Sequence, residues 1–111
     1  MSQTTTLVLL PQTVHNDGTV TGTARQAASY YLGNRDLQTI NWSVSDLKGS
    51  LHIQASLATS PSETDWFPVF DVTYDTESAI SYTNLSGNFV WVRAVMTEFS
   101  LGVVQYVKMS Y

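Results

Sequence analysis

The feature that most narrows what this chain can fold into is a two-residue alternation of apolar and polar side chains. It returns in nearly every segment with enough apolar residues to read. From Gln38 onward, Ile40, Trp42 and Val44 alternate with Thr39, Asn41, Ser43 and Ser45. A period of two puts one set on each face of a strand. After Asp46-Leu47-Lys48-Gly49, read as a turn, the alternation resumes with Leu51, Ile53, Ala55 and Leu57 against Ser50, His52, Gln54 and Ser56. Trp66 to Tyr74 reads as a strand with Phe70, Val72 and Tyr74 inward, and Pro68 sets its start at an edge or bulge. Ile80 and Tyr82 form a short strand before the turn-rich Asn84-Leu85-Ser86-Gly87-Asn88. Helix has almost no candidates.

From Asn88 to Thr97, Val90, Val92, Ala94 and Met96 line one face, while Phe89, Trp91 and Val95 line the other, interrupted only by Arg93. Glu98 to Gly102 then reads as the turn of a hairpin whose second strand is Val103 to Tyr111. Near the start, Leu7 to Leu10 reads as a strand stopped by Pro11. Thr19 to Thr23 reads as another after the Asn16-Asp17-Gly18 turn, and Arg25 to Tyr31 as strand in preference to one helical turn. Turn signals every 8 to 12 residues or so, with no helical period between them, predict an all-β fold: an antiparallel β-sandwich or jelly roll of about eight short strands. A chain of 111 residues has room for one such core, so residues 1–111 are expected to form a single domain, with 1–29 as an N-terminal arm or edge strands.

Charge excludes more than it suggests. Only 13% of residues are charged, and the net charge of -4 comes from carboxylates scattered singly. Such a chain presents no basic field to phosphates, and nucleic acid is not an expected partner. There is no cysteine, hence no disulfide framework and no thiolate chemistry. Met1 to Thr6 carries no basic n-region and Leu7 to Leu10 is too short to span a bilayer, so neither a membrane nor a cleaved signal is expected. Two glycosylation sequons, at Asn41 and Asn84, read as chance matches outside a secretory pathway.

Residues able to do chemistry have cheaper structural explanations. His15 and His52 are far apart, and neither has a metal-like spacing to a second ligand. His52 falls on the polar face of its strand, and Asp17 belongs to a turn. No Gly-x-Ser-x-Gly elbow marks a nucleophile. Most of the acids Glu63, Asp65, Asp71, Asp75, Glu77 and Glu98 lie in or beside predicted loops, where solvated charge explains them better than an acid pair. Asp71, Asp75 and Glu77 lack the regular spacing of a calcium loop. No catalytic residue, metal or cofactor is therefore expected.

Aromatic residues carry the better hints. Trp66 beside Asp65, and Tyr30-Tyr31 near Asn34, Arg35 and Asp36, are candidates for stacking on a sugar face. Phe89, Trp91, Arg93 and Val95 form a second apolar strand face, and aromatic residues and arginine are what subunit interfaces favour.

Three stretches carry a resemblance: Gly49 to Phe67, Gly87 to Ala94, and Gly102 through Ser110-Tyr111. Together they resemble the small virion structural proteins of tailed bacteriophages, particularly those infecting cyanobacteria. The likeness runs from about Tyr30 to Tyr111, leaves residues 1–29 unmatched, and transfers no catalytic residue. It implies a compact β-sandwich or jelly roll that serves as a capsid decoration, neck, baseplate or fibre component. Such a protein is assembled in the host cytoplasm, is usually a symmetric homo-oligomer, and has other virion proteins as partners. The alternative expectation is a carbohydrate-binding adhesion module that recognises a host-surface glycan.

Overall fold

A computed structural model describes residues 6–14, 18–27, 37–87 and 89–110. The strands are β1 (Thr6–Leu10), β2 (Thr13–Val14), β3 (Gly18–Thr21), β4 (Arg25–Gln26), β5 (Leu37–Ser56), β6 (Phe67–Ser86) and β7 (Trp91–Ser110), with one 3₁₀ turn at Glu63–Asp65. All pairings are antiparallel, and the order across the sheet is β1-β7-β5-β6, with β2, β3 and β4 also lying along β7. The expected all-β antiparallel architecture is the one observed.

Three of these strands are 20 residues long, which straight would be about 65 Å. The longest dimension of the molecule is 39 Å and the shortest 18 Å, so each long strand must double back. The creases lie side by side. Asp46 in β5, Thr76 in β6, and Glu98 and Gly102 in β7 all have positive φ, and the ladders shift register around Val44 to Leu47 and Ser45 to Ser50. Bulges of this kind bend a strand and sharpen its twist. The inserted residue also preserves the inward face: Ile40, Trp42 and Val44 are buried before the crease of β5, and Leu47, Leu51, Ile53 and Ala55 after it.

Three predicted turns are corrected: residues 84–86, read as the start of a turn, continue β6 and pair with residues 37–39 of β5. Residues 46–49 and 98–102 do not reverse the chain as hairpins; they are creases within single strands. Leu57, read as inward, lies beyond the end of β5 and is 61% exposed.

Folding over the crease produces two facing layers. Numbered along the chain, the segments are 1 (6–10), 2 (18–26), 3 (37–45), 4 (47–56), 5 (67–75), 6 (77–86), 7 (91–99) and 8 (103–110). One layer runs 1-8-3-6 and the other 2-7-4-5. The eight expected short strands are thus three long strands counted twice, plus β1 and the β3–β4 stretch. Two features show how closely the layers approach. Ser86, paired with Leu37, and Trp91, paired with Ser56, sit at opposite ends of β5 but are joined by residues 87–90, a connection of at most about 19 Å. Trp42 of segment 3 also reaches across the core to segment 5, its ring 5.3 Å from that of Phe70 and its indole N–H donating to the Tyr74 hydroxyl at 2.8 Å. Leu9, Phe99, Met96, Val107 and Met109 are also part of the buried interior.

Candidate functional site

The outer face of the layer formed by segments 2, 7, 4 and 5 carries three rungs of paired polar side chains, spaced two apart along β5 at Ser50, His52 and Gln54. At the first rung the Ser50 and Thr73 hydroxyls are 2.9 Å apart. At the next, His52 lies between two partners: Nδ1 is 2.5 Å from Asp71 Oδ1 and Nε2 is 2.7 Å from Thr97 Oγ1. At the third, Arg93 Nε donates to Gln54 Oε1 at 2.8 Å.

The His52 rung was not legible in the sequence, because Asp71 and Thr97 are 19 and 45 residues away from His52 along the chain. A carboxylate, an imidazole and a hydroxyl in line have the relative order of a hydrolase relay. In the neutral imidazole, Nδ1–H donates to Asp71 and Nε2 accepts the Thr97 hydroxyl, which satisfies both ring nitrogens. In the β5–β7 ladder His52 pairs with Val95, Leu51 with Met96 and Ser50 with Thr97. As built, the rung ties β6, β5 and β7 together across their outer surface.

The third rung brings the two aromatic candidate sets together. The Arg93 guanidinium stacks over the Trp66 ring, 4.3 Å from its centroid, and reaches Glu63 Oε2 at 3.7 Å. The Trp91 indole N–H donates to the Thr59 carbonyl at 3.0 Å. Phe89 packs at a tilt on Phe67, centroids 6.0 Å apart. Residues 57–66, the loop joining β5 to β6, are therefore pinned down by Trp91 and Arg93. Val95, opposite His52 in the ladder, is only 6% exposed. Three of the four residues of the expected second apolar face are occupied by their own chain, and the fourth is covered. Trp66 keeps partial exposure, one side of its ring under Arg93, which itself holds Gln54 and reaches Glu63 as polar groups. That is the composition of a sugar-stacking platform. Tyr30, Tyr31, Asn34, Arg35 and Asp36, the other stacking candidates, lie outside the described residues, as do His15 and Asp17.

Two open hollows flank the crease. The larger, about 650 Å³, is lined by Lys48, Thr73, Asp75, Glu98 and Phe99 among others. The smaller, about 400 Å³, lies on the outer face of the other layer, between Ser43, Ser45, Ser78, Ile80 and Gln105. Among the described residues no three acidic or imidazole groups come together to hold a metal ion.

The feature that sequence reading passed over is the free side of β6. In the described sheet it pairs only with β5. Its first part is guarded by Pro68, Asp71, Asp75 and Glu77, the devices by which edge strands avoid joining other chains. Residues 78–86 carry no charge and no proline, and their outward Ile80 and Tyr82 are 76% and 66% exposed. Period two was visible there in the sequence, but which strand lies at an edge is a property of the strand order. A scan against protein-family models finds no match, and neither does a search of the curated proteins.

Proposed function

We propose that this chain is a non-enzymatic virion structural protein of a tailed bacteriophage, built into the particle in the host cytoplasm through protein–protein contacts. The observation that carries the reading is the unguarded half of β6, an edge that offers both backbone pairing groups and exposed apolar side chains to another chain. The resemblance of Gly49–Phe67, Gly87–Ala94 and Gly102–Tyr111 to phage virion proteins supports it. So does the winding. We read the layers 1-8-3-6 and 2-7-4-5 as one long hairpin folded over itself, the jelly roll that recurs in viral capsid and lectin domains. That is an analogy of fold, and the edge is the argument from the site.

Quantitative mass spectrometry of purified particles tests the reading. Copies in the hundreds place the chain on the capsid, a few copies place it in the tail, and particles lacking it sink the proposal.

A second reading is favoured by the Trp66 platform: a carbohydrate-binding adhesion module whose ring stacks on a host-surface glycan beside Arg93, Gln54 and Glu63. Binding on a glycan array that is lost in Trp66→Ala is the expected result of that reading. An array with no signal for the unaltered chain removes it.

A further inference from the structure

We infer that the unguarded half of β6 pairs with the same segment of a second copy, antiparallel and across a two-fold axis through Ser81. This deepens the assembly reading and rests on it for its purpose; the geometry stands separately.

Register follows from matching what is exposed. A two-fold through Ser81 sets Ile80 of one copy opposite Tyr82 of the other, twice, the aromatic and β-branched pairing that stabilises antiparallel ladders. Shifting the axis to Tyr82 would place Ile80 against Asn84, and shifting it to Ile80 would place Tyr82 against Ser78. The Ser81 axis also sets Glu77 opposite Leu85, so the carboxylates of a chain with net charge -4 do not face one another. A partner bearing a basic strand would be drawn instead to Asp71, Asp75 and Glu77, the other half of the same edge. The uncharged half has no charge with which to select a foreign chain, whereas its apolar pattern is complementary to itself.

The smaller hollow gives the partner's tyrosine a place to go. It adjoins Ile80 and is walled by Ser43, Ser78 and Gln105. A Tyr82 reaching over Ile80 from the next strand, roughly 4.8 Å away, brings a phenol hydroxyl to those polar groups. The result is a closed two-fold dimer with one continuous sheet across both copies.

Sedimentation equilibrium of the full chain tests this. A reversible dimer is expected, and Ile80→Lys and Tyr82→Glu are each expected to weaken it at least tenfold. Both sites are exposed, so the fold is retained, which circular dichroism checks. Mixing the two variants is the decisive arm. In the mixed dimer Lys at 80 faces Glu at 82 while Tyr82 still faces Ile80, so the mixture should associate at least tenfold more tightly than either variant alone. Leu101→Lys, at another exposed apolar residue, should change nothing. A chain that stays monomeric up to roughly 1 mM (a ceiling of about 4 kcal/mol on association), a mixture that does not recover, or an equal effect of Leu101→Lys overturns the inference. The two proposals fail separately. A dimer absent from particles defeats the virion reading alone, and a monomer abundant in particles defeats the pairing alone.

Discussion

Gly102 sits at the crease of β7 with φ of +87°, and a Cβ placed there would stand 2.3 Å from the Asp46 carbonyl oxygen. Both facts bear on the same event, the passage of β7 over β5 where the two layers part. Any side chain at this position must push backbone against backbone, in a conformation L residues rarely adopt. Gly102→Ala should therefore cost at least about 3 kcal/mol, read as a fall in the urea midpoint at unchanged slope. Thr76 is the converse case. It is a β-branched residue at φ of 58° on the exposed edge strand, where its side chain has no core to fill. Asparagine tolerates that conformation better, so Thr76→Asn is expected to stabilise by about 0.5–1 kcal/mol in the same measurement. The sequence reads Gly102 only as part of a turn and does not mark Thr76 at all. A glycine, like the aspartate and glutamate at the other creases, is an ordinary turn residue and serves equally as the inserted residue of a bulge.

The elements show a different limit of local reading. Alternation from Asn88 to Thr97 locates an apolar inner face, and Val92, Ala94 and Met96 are fully buried in the core. Its outer face reads as apolar too, yet periodicity contains no information about which distant loop will return to cover it. The cover is residues 57–66, held by the Trp91 bond to Thr59 and by the stacking of Arg93 on Trp66. The Arg93 side chain is 13% exposed, so its bond to Gln54 and its stacking act in a partly dry setting, while Glu63, 89% exposed, adds little. Arg93→Ala is expected to cost about 1–2 kcal/mol and to speed amide exchange selectively in residues 57–66. Arg93→Lys keeps the charge but loses the planar stack and should recover less than half of that loss. Equal exchange rates in the loop with and without Arg93 would show that the loop is held by other contacts.

At the scale of the whole molecule, the winding makes the first and last strands neighbours, with Thr6 beside Ser110, and leaves the loop after β5 as the tip of the folded hairpin. Strand order of this kind is invisible to periodicity, because each ladder rung joins residues that no local pattern connects. It also separates turns from creases in a way that experiment can read. A circular permutant that joins the two ends through a short glycine-serine linker and opens between Ser60 and Pro61 cuts the loop between β5 and β6 and severs no strand. It should keep the strand signature in circular dichroism and melt within about 5 °C of the parent. Opening the same permutant between Asp46 and Leu47 severs β5 at its crease, where Leu47 is fully buried and paired with Glu77, and Asp46 N–H donates to Ser78 Oγ at 3.0 Å. That permutant should fail to fold, because two stretches of one strand would have to find their register independently in both layers. If the cut at Asp46 were tolerated as well as the cut at Ser60, residues 46–49 would be the free turn their composition predicts, and the doubled-back strand would not be what holds the two layers together.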